Sequence, residues 1–116
     1  MTAREAGERG EQIACEYLAA RGYECVIRNY RYGHCEIDLI MRQGARVVFV
    51  EVKARSNTAF GMPAEFVNAK KRARLIAAAQ GYLQQTGLTD APARFDVIEV
   101  YLPGGRVRHI EDAFGA

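Results

Sequence analysis

A chain of 116 residues is long enough for one domain, residues 1–116, with a modest hydrophobic core. Its composition, 49% hydrophobic and 26% charged, is that of an ordinary globular protein. It has no apolar run near the roughly 18 residues of a membrane span. The polar N-terminal segment is unlike a signal peptide, so we expect a cytoplasmic protein with no membrane partner. Three cysteines without a CxxC spacing argue against a disulfide framework and a zinc knuckle.

The net charge of +2 is small, but the basic residues are concentrated in one segment. Eight of them lie between Arg42 and Arg74, against two acidic residues, whereas residues 1–41 hold seven acidic and five basic residues. A basic segment beside carboxylates suits a polyanion such as DNA. On its own, the Lys70–Arg74 cluster is better interpreted as a solvated helix face. The candidate DNA-contacting residues are Arg55, Lys70, Lys71 and Arg74.

The first half of the chain is predicted to form one helix and three strands. Apolar residues at helical spacing predict a helix over Ala3–Arg21, which Gly22 ends. Glu11 lies near the border of the apolar stripe, a position that by itself is only weak support for an inward-facing side chain. Alternation and short connections predict an antiparallel meander. Its strands cover Tyr23–Arg31, Glu36–Arg42 and Arg46–Ala54.

The second half is predicted to add a helix and two strands. After a loop over Arg55–Pro63, a long helix begins at Glu65 or Asn68 and ends at Thr86, before Gly87. The last elements are a strand over Arg94–Leu102, a turn at Pro103-Gly104-Gly105, a short strand over Val107–Ile110 and a tail in which Phe114 docks on the core. The predicted order is α-β-β-β-α-β-β, an α/β fold.

Charged residues interrupt two neighbouring strands that are otherwise apolar. Alternation places Glu36 and Asp38 on one face of the second strand, and Glu51 and Lys53 on one face of the third. Burying such charges is costly unless they are paired or bind a metal. Because Mg²⁺ prefers oxygen ligands, we predict a site formed by Asp38, Glu51 and the backbone carbonyl of Val52. Lys53 would stabilise charge on a scissile phosphate.

The spacing Asp-x12-Glu-x-Lys matches the signature of PD-(D/E)XK nucleases, which is short and only moderately specific by itself. Further motifs cover nearly the whole chain. They are Gly7-x3-Glu11-x2-Ala14-x2-Tyr17-Leu18-x3-Gly22, Arg28-Asn29, Glu36-Ile37-Asp38-Leu39-Ile40, Val48-Phe49-Val50-Glu51-Val52-Lys53-x-Arg55, Phe60-Gly61-x-Pro63, Lys70, Tyr82-Leu83, Arg94-Phe95-Asp96-Val97 and Asp112-Ala113-Phe114. In this combination the chain resembles the YraN-like family of predicted endonucleases, which are related to archaeal Holliday-junction resolvases.

This resemblance implies a restriction-endonuclease-like fold, with a central mixed β-sheet flanked by helices. It also implies a Mg²⁺- or Mn²⁺-dependent endonuclease that hydrolyses DNA phosphodiester bonds, with branched or structured DNA as the candidate substrate. The implied catalytic residues are Glu11, Asp38, Glu51 and Lys53. Glu36 would flank the site, and Asp96 would be a structural hydrogen-bonding residue. The family commonly has glycine where this chain has Cys35, which puts substrate access beside Asp38 in question.

The resemblance also bears on partners. Junction resolvases need two active sites, so we expect a homodimer by analogy, with DNA as the partner and no small-molecule cofactor. Two other functions stay open: a non-catalytic nucleic-acid-binding module, or an assembly partner of a DNA-processing complex. The four-residue set favours the nuclease, because a module without chemistry has little reason to keep charges at strand ends.

Overall fold

The computed structural model describes residues 1–56 and 68–115, which form helices and strands in the predicted order. The elements are α1 (Ala3–Ala19), β1 (Glu24–Tyr32), β2 (Cys35–Gln43), β3 (Arg46–Ser56), α2 (Ala69–Gln85), β4 (Ala93–Leu102) and β5 (Arg106–Phe114). The predicted loop Arg55–Pro63 is wrong at Arg55 and Ser56, which belong to β3; its other residues, and a helix start at Glu65, lie outside the described residues. In the described ranges, no helix is long and apolar enough to span a membrane.

The strands form one mixed sheet whose spatial order, β1-β2-β3-β4-β5, follows the chain. The first three pair antiparallel, which confirms the predicted meander, and β4 and β5 pair antiparallel across their short turn. β3 and β4 are parallel, and α2 makes the crossover that a parallel connection needs. The predicted α/β class, element order and central mixed sheet flanked by helices are therefore confirmed.

The two helices cover opposite faces of the sheet. Ala14 of α1 belongs to one apolar core together with Val48, whereas Leu75 of α2 belongs to the other together with Phe49. Alternate residues of β3 therefore face different helices, as the period of a strand requires. On the same alternation, Glu51 lies on the face that α2 covers.

Both helices begin at side-chain caps. At α1, Thr2 and Glu5 form a capping box with hydrogen bonds of 3.1 and 2.8 Å. At α2, Asn68 Oδ1 accepts the Lys71 N–H at 2.9 Å. This cap fixes the first turn of α2, which carries the predicted DNA-contacting residues Lys70 and Lys71.

The predicted end of β5 at Ile110, with a tail beyond it, is wrong. β5 continues to Phe114, which pairs with Phe95 after an irregularity in the β4–β5 register. Asp112, in the irregular part, has a φ of +51°, and such a bulge hides the alternation from a reading of the sequence. Phe114 stacks on Phe95 with ring centroids 4.7 Å apart, which confirms that it docks on the core.

Candidate active site

β2 and β3 separate where their acidic residues lie. Their backbone pairing runs from Gln43–Arg46 to Leu39–Val50. Beyond this point the Asp38 side chain replaces a backbone partner, because its Oδ2 accepts the Val52 N–H at 2.8 Å. The carboxyl group of Asp38 is also within hydrogen-bond reach of Glu51. The structure therefore brings together the two carboxylates that the sequence predicts as metal ligands.

Each carboxylate of this pair disfavours the ionised form of the other. Glu51 is 5% exposed and Asp38 is half-buried. Burial, followed by the hydrogen bond and the charge of Glu51, raises the pKa of Asp38 from its ordinary 3.8 to about 8, and the charge of Glu11 adds to the rise. The Val52 N–H opposes it. Like charges close together in a low-dielectric site raise the pKa of a carboxyl group. Such perturbed carboxyl groups are common where a protein binds cations or moves protons.

A lysine of α2 reaches the same pair. Lys71 Nζ lies 2.5 Å from Glu51 Oε2. Desolvation lowers the pKa of Lys71, but the hydrogen bond and charge of Glu51 outweigh it, so the pKa is raised. Lys71 is a predicted DNA contact, and its ion pair with Glu51 is an addition that only the structure provides. No sequence spacing indicates it, because only the packing of α2 on the sheet brings the two residues together.

Glu11 faces the sheet and is held there by Asn29. Asn29 Nδ2 donates to Glu11 Oε1 at 3.0 Å and to Glu36 Oε1 at 3.1 Å. Asn29 has a φ of +56°, a left-handed conformation that Asn adopts more readily than most residues. Asn29 is not among the site residues predicted from the sequence. The available signal was an Asn inside a predicted strand, within the matching Arg28-Asn29 pair.

Lys53 and Arg55 follow Glu51 along β3. Lys53 is half-buried and in register with Glu99 of β4. Arg55 Nε lies 2.7 Å from Glu99 Oε2, and Arg108 Nε lies 3.4 Å from Glu99 Oε1, where the Glu99 side chain is 2% exposed. This buried carboxylate holds Arg55, whose predicted DNA contact stays a prediction. Glu99 is not among the residues predicted from the sequence to have a role in the site.

The carboxylate pair lines a cleft of about 550 Å³. The cleft brings together three acidic and three basic side chains, beside His34 of the β1–β2 turn and Cys35 at the start of β2. Its lining residues are His34, Cys35, Glu36, Asp38, Glu51, Val52, Asn68, Lys70, Lys71 and Arg74. Burial, and then the charge of Glu51, raises the pKa of the Cys35 thiol. Of the predicted site residues, Glu11, Lys53 and Arg55 are not among those that line the cleft.

The donor groups fit one hard divalent cation. Asp38 and Glu51 supply two carboxylates, and Val52 lines the same cleft. Across residues 1–56 and 68–115, no group of three or more carboxylate, imidazole or thiol side chains is placed to hold a metal ion. Mg²⁺ does not need three, since one or two carboxylates, waters and a substrate phosphate commonly complete its shell. The pair, compensated in the structure by Lys71, is an arrangement that a cation would stabilise.

Asp96 belongs to a separate and fully bonded cluster. It accepts hydrogen bonds from Arg94 Nε at 2.8 Å and from the Asp112 N–H at 3.0 Å, and its Oδ2 lies 2.7 Å from His109 Nε2. Burial raises the pKa of Asp96, but the hydrogen bonds of His109 and Arg94 outweigh it, and the pKa is lowered. These contacts agree with the structural role expected for Asp96.

Residues 10–100 match the family described as Uncharacterised protein family UPF0102. A UPF0102 protein of Clostridioides difficile is 45% identical over 98% of this chain and 100% of its own length. One of Symbiobacterium thermophilum is 47% identical over 97% of this chain and 98% of its own length. The solved structure of Pyrococcus furiosus SfsA in complex with Ca²⁺ is 14% identical, with a TM-score of 0.41. That match covers 97% of this chain and 65% of the SfsA chain, and it carries no argument about function.

Proposed function

The chain belongs to the uncharacterised protein family UPF0102, and we propose that it is a metal-dependent endonuclease that hydrolyses DNA phosphodiester bonds. The observation that carries the proposal is the Asp38–Glu51 pair, at the point where β2 and β3 separate. It lies in the same cleft as Lys70, Lys71 and Arg74. A metal-dependent phosphodiesterase needs carboxylates that bind a cation and, next to them, side chains that bind phosphates.

In this proposal Asp38, Glu51 and the Val52 carbonyl hold Mg²⁺ or Mn²⁺. The bound cation supplies Lewis-acid stabilisation of the phosphoryl oxygens. Lys53, two residues beyond Glu51 on β3, neutralises negative charge that grows on the scissile phosphate. Glu11, which Asn29 holds in place at 3.0 Å, orients the attacking water.

The basic side chains of the cleft would bind the DNA backbone. Lys70, Lys71 and Arg74 lie on the first two turns of α2 and line the cleft beside the carboxylate pair. Such contacts are independent of base sequence and position the duplex instead of reading it. Arg55, at the end of β3, would extend this surface. Branched or structured DNA is the proposed substrate, and a homodimer would supply the two sites that a junction requires.

A non-catalytic nucleic-acid-binding module, acting alone or as an assembly partner, is the second candidate. The Lys71–Glu51 ion pair favours it, because this contact compensates the buried carboxylate without any metal. The two candidates differ in one respect that is easily measured. A nuclease needs both carboxylates for turnover, whereas a binding module needs neither.

The test is a cleavage panel of duplex, single-stranded and four-way-junction DNA with Mg²⁺ or Mn²⁺. Wild type and Glu51→Gln are compared, because the substitution keeps the shape of the side chain and removes its charge. We expect cleavage by wild type and a loss of roughly 10²-fold or more in the variant, with DNA affinity retained. No cleavage by either protein would refute the nuclease. Metal-independent DNA binding that survives Asp38→Ala would then establish the binding module.

A further inference from the structure

Lys71 can contact either the carboxylate pair or a DNA phosphate. Its Nζ forms an ion pair with Glu51 Oε2. The Lys71 side chain is nevertheless 45% exposed, whereas that of Glu51 is 6% exposed. Its backbone N–H is fixed by Asn68 Oδ1 at 2.9 Å. The ammonium can therefore leave Glu51 for the solvent side of the cleft through side-chain torsions alone, without movement of α2.

The other two cations of the cleft are placed differently. Lys70 and Arg74 line the same cleft and are exposed, and in the described part of the chain neither forms an ion pair. They can bind phosphate without giving up a protein partner. Lys71 differs because its charge compensates a buried carboxylate, and removing that compensation is costly unless another cation replaces it.

We propose that Lys71 is a positioning residue that exchanges between Glu51 and a DNA phosphate, and so couples DNA binding to divalent-cation binding at Asp38 and Glu51. The inference rests on the proposed function. A divalent cation beside Glu51 repels the ammonium, and a phosphate at the cleft accepts it. Each ligand therefore removes part of the cost of binding the other. Because the coupling is thermodynamic, it is reciprocal.

The first measurement is calorimetric titration of Mn²⁺ into DNA-free protein. Lys71→Gln removes the competing charge, and we expect it to bind Mn²⁺ about tenfold more tightly than wild type, within the usual range of coupling between sites. Lys70→Gln is the matched control, since it removes the same charge from the same cleft. We expect a change of about twofold or less there, because salt screens an exposed charge. Lys71→Arg keeps the ion pair and should bind Mn²⁺ like wild type.

The second measurement is the affinity for a short duplex, by fluorescence anisotropy, in EDTA and in saturating Ca²⁺. We expect the gain in affinity on adding Ca²⁺ to be several-fold larger in wild type than in Lys71→Gln. A helix-surface Gln is well tolerated, and Lys71→Met serves as a second variant if the first folds poorly by circular dichroism. Neither measurement depends on turnover.

The outcomes separate the two proposals. Saturable Mn²⁺ binding with equal affinity in Lys71→Gln and Lys70→Gln would overturn the exchange and leave the proposed nuclease intact. An unchanged Ca²⁺-dependent gain in DNA affinity in Lys71→Gln would also overturn it. If neither wild type nor Lys71→Gln binds Mn²⁺ saturably, both the exchange and the metal-dependent function are wrong.

Discussion

Replacing Asp38 by Asn should stabilise the metal-free protein at alkaline pH while abolishing metal binding. The Asp38 carboxyl has a pKa of about 8 in the fold and an ordinary value of 3.8. Between these values the native state holds a proton that the unfolded chain has lost. The free energy of unfolding therefore falls as the pH rises through this window. An amide reproduces the protonated form, since it can accept the Val52 N–H and donate to Glu51.

The size of the effect follows from the pKa difference. About four pKa units at ~1.36 kcal/mol each give an upper limit of about 6 kcal/mol for ionising Asp38 in the fold. Asp38 is only half-buried, so solvent and the separated strands relax around its charge, and we expect about 2 kcal/mol. In EDTA at pH 9, Asp38→Asn should be more stable than wild type by about this amount. At pH 4 the two should be nearly equal.

Urea denaturation at both pH values measures this difference directly. Adding Mn²⁺ at ten times its dissociation constant should then stabilise wild type by about 1.4 kcal/mol and leave the variant unchanged. The metal would thus narrow the difference in stability from about 2 to about 0.6 kcal/mol, as expected of a site that is strained without its ligand. Asp38→Asn could instead be less stable than wild type at pH 9 in EDTA, or its stability could follow the same pH dependence as that of wild type. Either result would show that the fold does not disfavour the ionised form of Asp38.

Three further predictions test the surroundings of the pair. Arg74→Gln should weaken duplex binding and reduce the slope of log affinity against log salt by about 1. Fluorescence anisotropy across a salt series measures this slope, with Arg46→Gln as the control. An unchanged slope would show that Arg74 does not contact the DNA. Asn29→Gly keeps the positive φ and removes the side-chain amide, so cleavage should slow by roughly 10- to 100-fold with little loss of stability. Steady-state rates measure the first effect and urea midpoints the second. A wild-type rate would show that the hydrogen bonds of Asn29 to Glu11 and Glu36 have no part in activity. Asp96→Ala removes the shared hydrogen-bond partner of Arg94 Nε, His109 Nε2 and the Asp112 N–H. It should cost about 3 kcal/mol by urea denaturation, whereas a loss below about 1 kcal/mol would contradict the structural role.

The arrangement of helices and strands was largely predictable because local chemistry determines it. Period-2 alternation identified β2 and β3, and the Pro103-Gly104-Gly105 turn fixed the β4–β5 hairpin. The end of β5 was not predictable, because the backbone leaves regular geometry there. A bulge at Asp112 shifts the alternation, so the sequence pattern stops at Ile110 although β5 continues beyond it.

The candidate site was predictable only in part. Asp38 and Glu51 could be found because charges inside apolar strands stand out in a sequence. The contacts that compensate those charges could not be found, since Lys71 reaches Glu51 only through the packing of α2 on the sheet. Glu99, which is almost fully buried, is likewise paired by residues from two different strands. Long-range ion pairs leave no periodic pattern.

The central claim is that Asp38 and Glu51 form a divalent-cation site, and counting bound Mn²⁺ by electron paramagnetic resonance tests it most directly. Free Mn²⁺ is measured while the ion is titrated into wild type and into Glu51→Gln at the same protein concentration. We expect at least one saturable Mn²⁺ per chain in wild type and its loss in Glu51→Gln. Equal binding in both proteins, or none in wild type, would contradict it.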